Sequence, residues 1–192
     1  MFELSYPIED VVVIDKKSYE IDMSFDNILL LLALINDEKL PNFQKVLEGI
    51  NLLLGVSFLL DHYNFAAQQH IFNQLIEQIF PQNEVHLPHD IDGKPIPLPR
   101  DKNNKTYDLK HDAAYIYASF MQAYGIDLFQ EQGQLHWYKF QALLSGLPED
   151  TKLKQVIGIR TRKAYKGMPS EERRQLRELQ EYYALPESDI ES

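Results

Sequence analysis

From Tyr107 to Asp150 the chain reads YDLKHDAAYIYASFMQAYGIDLFQEQGQLHWYKFQALLSGLPED, and no other stretch restricts the fold as tightly. Ala113, Ile116, Tyr117, Phe120, Met121 and Tyr124 recur at i, i+3, i+4, i+7, i+8 and i+11. That spacing lines apolar side chains along one face of an α-helix, so a helix is expected over about 108–124. Asp108 is placed to cap it, Asp112 sits early where the helix dipole favours a carboxylate, and Gly125 suits the left-handed position that closes a helix. A second helix is expected over about 134–145, with His136, Phe140, Leu143, Leu144 and Leu147 on one face and Trp137 beside it. Gly146 ends it and Pro148 prevents its resumption. Asp150 or Thr151 then caps a helix in which Leu153, Val156, Ile157, Arg160 and Ala164 line up. Gly167-Met168-Pro169 breaks that helix. Ser170 opens SEERRQLRELQEYYAL, with acids first and arginines later, the order the dipole favours.

The N-terminal half carries a different signal. Val11 to Ile14 form a β-branched run, and Tyr19, Ile21 and Met23 alternate with Glu20 and Asp22, so residues 11–23 read as a β-hairpin turning at Asp15-Lys16-Lys17-Ser18. Ser24 can cap a helix starting near Phe25. Ile28, Leu29, Leu31, Leu32 and Ile35 make it apolar nearly all round, which predicts burial on most sides. Pro41 suits the start of the next helix, with Phe43, Val46, Leu47, Ile50 and Leu54 on its apolar face and Gly55 near its end. Asn64 starts a third, with Ile71, Phe72, Leu75, Ile76 and Ile79 on one side.

Five of the ten prolines fall at Pro81, Pro88, Pro95, Pro97 and Pro99. Proline lacks an amide donor and cannot continue a helix, so residues 81–106 read as a linker or long surface loop. The expected organisation is an N-terminal hairpin with helices (1–80), the proline-rich linker (81–106), a C-terminal helical module (107–186) and an acidic tail (187–192). The fold class is mainly α, with a short N-terminal β-hairpin and a proline-rich linker between two helical halves.

A net charge of −10 works against binding nucleic acid phosphates or anionic membranes. No cysteine is present, which excludes disulfides, thiol catalysis and cysteine zinc sites. The first ten residues, MFELSYPIED, lack a basic region and a long apolar core, so no signal peptide is expected there. The apolar run from Ile28 to Ile35 is far shorter than the roughly 20 residues that span a bilayer. A soluble protein is expected.

Chemistry finds little purchase. His86, His89, Asp90 and Asp92 have the spacing H-x-x-H-D-x-D, but Pro88 intervenes and the setting is a polar linker, so a metal site is not expected. His111-Asp112 is read as helix N-terminal electrostatics rather than an acid–base pair. No G-x-S-x-G, Walker A or dinucleotide glycine loop occurs. The expectation is no enzyme and no cofactor. His136 is read as a core side chain with satisfied nitrogens, and Trp137 either as packing within the C-terminal module or as a hot spot for a partner. Arg160, Arg162 and Lys163, with Arg173, Arg174 and Arg177, form a basic segment in an acidic chain. They are read as a solvated helix face, or as contacts to an acidic stretch of a partner or to the acidic N-terminal half of another copy, a self-association. Aromatic side chains suit interfaces because one end is apolar and the other can hydrogen-bond. Tyr117, Tyr124, Trp137, Tyr138, Arg160 and Arg162 are therefore the candidate partner-binding residues.

One resemblance covers nearly the whole chain. Asp112, Ile116, Tyr117, Ser119, Phe120, Tyr124, Gly125, Ile126, Asp127 and Leu128 resemble the pattern of the bacteriophage Gp-fifteen family. Leu135, His136, Trp137, Lys139, Phe140, Leu143, Leu144, Gly146, Leu147, Pro148, Glu149 and Asp150 continue it. Lys154, Val156, Ile157, Arg160 and the Tyr183-Ala184-Leu185-Pro186 ending also fit, as does Ser24-Phe25-Asp26-Asn27 leading into an apolar helix. Asp15-Lys16-Lys17 stands where Asp-Gly-Lys is more typical, and Tyr138 where a second Trp is common. The family is encoded in tail gene clusters of phages and prophages of Gram-positive bacteria, typically between the genes for the tail tube and tape measure proteins. The resemblance implies a non-enzymatic tail-assembly chaperone acting in the cytoplasm of the bacterial host. Its implied partners are the tape measure protein and the tail tube protein. The alternative is a minor structural component of the mature tail.

Overall fold

The computed structural model describes residues 8, 10–55, 63–80 and 106–186. The linker expected at 81–106 therefore lies outside the described residues except for Thr106, as does the acidic tail. Two compact units divide the chain: Met1–Leu98 with Gln132–Gln141, and Pro99–Glu131 with Ala142–Ser192. Among the described residues there are seven helices and one two-stranded antiparallel hairpin, the mainly α fold that the periodicity predicts.

In the first unit β1 (Val11–Ile14) pairs with β2 (Lys17–Glu20), with Val12 opposite Tyr19 and Ile14 opposite Lys17. The turn is two residues rather than the expected four, because Lys17 and Ser18 already pair with β1. Asp15 and Lys16 have φ of 48° and 65°. Two consecutive left-handed residues match the right-handed twist of the flanking strands, which is why a glycine is usual there. Val12 and Ile14 face the core while Val11 and Val13 stay exposed.

Helix α1 (Phe25–Asn36) follows Ser24. Ile28 and Leu31 are fully buried, but Leu30 is 60% exposed. The expected burial on most sides is thus confined to one face, and leucines supply the outer one as well. Helix α2 (Asn42–Leu54) starts after Pro41 and closes on Gly55, φ 63°. Its inner face is Val46, Gly49, Ile50 and Leu53. Phe43, expected on that face, is half exposed. Helix α3 (Phe65–Ile79) is capped by Asn64, whose side chain accepts the Ala67 amide at 3.0 Å. Ile71, Leu75 and Ile79 bury its inner face. At the α2–α3 contact Gly49 lets the helices approach, and a Cβ there would run into the Phe72 ring.

Residues 132–141, grouped by sequence with the C-terminal module, pack into this first unit. The cause is backbone pairing. The Phe25 amide donates to Leu135 O at 2.9 Å, and the Trp137 amide to Met23 O at 2.7 Å. The motif Ser24-Phe25-Asp26-Asn27 organises the junction. Ser24 Oγ donates to Asp22 at 2.6 Å, and Asp26 accepts the Gly133 amide at 2.9 Å. The Asn27 amide group donates to Asp22 O at 3.0 Å and Leu52 O at 3.1 Å. Phe140 then stacks on Phe25 at 5.0 Å.

Helix α5 (Trp137–Ser145) begins in the first unit and ends in the second. The second unit also holds α4 (Ala113–Tyr124), α6 (Lys152–Thr161) and α7 (Ser170–Tyr182). Helix α4 starts five residues later than expected because Asp108 caps a preceding turn instead, accepting the Lys110 and His111 amides at 2.9 and 2.8 Å. Helix α5 starts at Trp137 rather than near 134, since 135–137 are extended against Met23–Phe25. Helix α6 stops at Thr161, which leaves Ala164 outside it and exposed. Phe120, Leu147, Leu153, Val156, Met168 and Leu176 form the apolar core of this unit. Fully buried Ser119 links α4 to α6: its hydroxyl donates to Tyr115 O at 2.7 Å and accepts the Leu153 amide at 2.9 Å.

Candidate functional site

The six candidate partner-binding residues are spread over both units. In the first unit Trp137 is 3% exposed, stacked on Phe140 at 5.7 Å and edge-on to Phe80 at 6.2 Å. Its ring is core packing, with almost none of its surface left for a partner. Tyr138 is half-buried and donates its hydroxyl to Gln78 O at 2.6 Å. Burial, then the charge of Asp10, raises its pKa above the usual phenol value.

His136 contacts the Asp10 carboxylate through Nε2 at 3.0 Å, and its Nδ1 accepts the Tyr138 amide at 3.0 Å. An imidazole thus plays the capping part at the start of α5 that Ser or Asn usually plays. Both ring nitrogens are engaged in structure, as expected for a core histidine.

In the second unit Tyr124 donates to Leu143 O at 2.9 Å and meets Phe120 edge-on. Arg160 is the centre of a buried network. Its two terminal nitrogens donate to the two Asp112 oxygens at 2.7 and 2.8 Å, a planar fork matched to a carboxylate. It also donates to Thr106 O at 3.1 Å and Tyr183 O at 2.5 Å. Asp112 accepts the Asp108 amide as well, at 2.9 Å. Burial pushes the Asp112 carboxyl upward. The Arg160 hydrogen bonds, the Asp108 amide and the charges of Arg160 and His111 together outweigh burial and hold it below the usual carboxylate range. Arg160 is consumed in tying Thr106 and Tyr183 to α4.

Of the six, Arg162 is exposed, and Tyr117, half-buried like Tyr124 and Tyr138, borders an exposed ring. Arg162 is 54% exposed at its side chain, in an ion pair with Glu172 at 2.8 Å. Tyr117 lies 5.2 Å from Phe129, which is 71% exposed. Met121, one turn beyond Tyr117 on α4, is also exposed. Tyr117, Met121 and Phe129 form an outward apolar patch. Phe129 is not among the sequence candidates, because it lies in the turn that follows α4, where no periodic face marks it. Asp127 fixes that turn by accepting the Phe129 amide at 3.0 Å.

Among the described residues no three His, Asp or Glu side chains gather where a metal could bind. The segment His86–Asp92 lies outside them. Among the described residues no helix is long and apolar enough to cross a membrane.

Residues 8–185 match the family described as Bacteriophage Gp15 protein. The chain belongs to that family. It is a phage-related protein, and the match spans both units. Comparison with curated proteins found no match, and neither did comparison with solved structures. The Gp15 residues quoted from the sequence now have physical explanations. Asp112 and Arg160 are an ion pair, Ser119 is an interhelical link, Gly125 is a helix closure at φ 66°, and Leu135-His136-Trp137 anchor one segment on another.

Proposed function

We propose that this phage protein is a non-enzymatic tail-assembly chaperone that binds the tape measure protein in the host cytoplasm. The observation that carries this reading is family membership over residues 8–185. The family's genes typically neighbour those of the tape measure and tail tube proteins. A long helical client needs a binder with exposed apolar anchors, since helix recognition works through side chains spaced i, i+3, i+4 and i+7. The outward patch of Tyr117, Met121 and Phe129 is the surface we assign to that contact. Aromatic side chains are enriched at such contacts because they bury large areas at low entropic cost, and methionine because its flexible, polarizable thioether adapts to irregular surfaces.

Co-expression with the tape measure protein of the same gene cluster, followed by size-exclusion with light scattering, tests the reading. A soluble complex that rescues an otherwise insoluble tape measure protein supports it. A protein that ignores the tape measure protein and is stoichiometric in purified virions would instead be a minor structural component of the tail.

A further inference from the structure

We propose that the groove between α6 and α7 is a docking site for an acidic amphipathic helix of a partner protein. This goes beyond the chaperone reading, and it stands whether or not the partner is the tape measure protein. The groove is an open cleft of about 420 Å³. Helix α6 and its C-cap contribute Gln155, Gly158, Ile159 and Arg162. Helix α7 contributes Glu172, Gln175, Leu176 and Leu179. Both sets fall at i, i+3, i+4 and i+7, so two straight stripes border one trough, the seat that a third helix takes on a helix pair.

The trough has an apolar floor that is only partly covered. Leu176 is buried, but Leu179 is 44% exposed on a helix that is otherwise strongly polar. Gly158 leaves a gap in the α6 wall, where an added Cβ would meet nothing within 4 Å. Helix walls offer no free backbone edge, since their amides and carbonyls are paired internally. The carbonyls of Ile159 and Arg162 near the α6 end accept the Gln180 side chain at 3.0 and 2.8 Å. An extended peptide would find nothing to pair with here and would bury its own amides unpaired. A helix brings its backbone already satisfied.

Charge sets the sign of the partner. Residues 152–177 hold nine Lys and Arg against two acids, in a chain of net charge −10. Among the described residues Lys154, Lys163, Lys166 and Arg177 have no ion pair. Arg162 on the groove wall is paired with Glu172, but both side chains are more than a third exposed. An exposed pair of this kind is weak and exchangeable. A partner carboxylate flanking the apolar stripe would compete with Glu172 for Arg162.

The test uses the whole protein and a fluorescein-labelled helical peptide about 18 residues long. Leu occupies its i, i+3, i+4 and i+7 positions and Glu its flanks. One control replaces every Glu by Lys, and a second scrambles the sequence at constant composition. Anisotropy titrations should show saturable binding of the acidic helix that weakens about tenfold between about 0.05 and 0.3 M salt. The Lys and scrambled peptides should not bind. Gly158→Gln fills the gap with a better helix former and should cut affinity about tenfold while the melting temperature holds or rises. Glu172→Gln removes the competing carboxylate and should tighten binding severalfold, a gain that general damage to the fold would not produce. Absent binding of the acidic helix, equal binding of either control, or wild-type affinity in Gly158→Gln would overturn the assignment.

Discussion

Ile28, Leu31, Ile50, Leu53, Leu75 and Ile79 are fully buried in the first unit, and three helices contribute them. The second unit has a smaller apolar centre around Phe120, Leu153 and Val156, and buries the Asp112 carboxylate to 1% exposure beside Arg160. The first unit is held mainly by close packing, with polar links such as Asn27 and the partly exposed His136–Asp10 contact beside it. The second is closed by a charged clasp that gathers Thr106, α4, α6 and Tyr183 through one guanidinium. Apolar burial degrades gradually as atoms are removed. A buried ion pair fails at once, because losing one partner strands the other charge.

Substitutions can break this contrast. The largest effect is expected from Asp112→Ala, which leaves Arg160 buried without its carboxylate and should cost the second unit about 3–5 kcal/mol. Hydrogen exchange read by mass spectrometry would show lost protection in α4, α6 and α7 while α1–α3 stay protected. Uniform loss across the chain would refute the division of labour. Leu31→Ala should cost the first unit about 2–5 kcal/mol through lost burial and a cavity. Its penalty should be insensitive to pH between 3 and 7.

Acid sharpens the comparison. The Asp112 carboxyl is held below the usual carboxylate range in the folded protein. Its contribution is therefore fully present above its unfolded pKa of about 3.9 and is lost as pH falls through the lower folded value. Protection of α4 and α6 should drop below about pH 4. In Asp112→Asn that further drop should be smaller, because the titrating group is gone.

Smaller effects probe the first unit. Gly49→Val should cost about 1–3 kcal/mol by forcing the Phe72 ring aside, measurable as a lower chemical denaturation midpoint. Lys16→Gly should stabilise by about 1 kcal/mol, since Lys16 sits at φ 65°, where a Cβ is strained. A loss of stability there would mean that the Lys16 side chain has a role that its backbone conformation does not reveal.

Most of the helices were legible from spacing. Asn64 capping, the Gly55 and Gly125 closures and the inner face of α3 follow from local chemistry, whereas on α4 only Ile116 and Phe120 of the expected face are buried, Ala113 and Met121 are exposed, and Ser119 is buried instead. Local chemistry failed where a side chain was used elsewhere. Asp108 spends its carboxylate on a turn, so α4 begins later. Residues 135–137 lend their backbone to Met23–Phe25, so α5 begins later and its first turns join the other unit. Of the candidate partner residues, Trp137 and Arg160 have little exposure, and no spacing rule distinguishes a buried arginine from a solvated one. Phe129 lies outside any helix, where no periodic face announces it.

The sequence by itself determined the helical class, the apolar stripes and the crowding of positive charge into residues 152–177. Those properties depend on neighbours within about a turn or a strand, and local sterics and burial preference decide them. Only the tertiary structure decided that Asp112 meets Arg160, that Leu135–Trp137 pair with Met23–Phe25, and that the stripes of α6 and α7 border one open groove. Those contacts join residues tens to more than a hundred positions apart. They exist because buried charges and backbone groups must find partners once water is excluded, and the sequence pattern does not say which partner will be nearest.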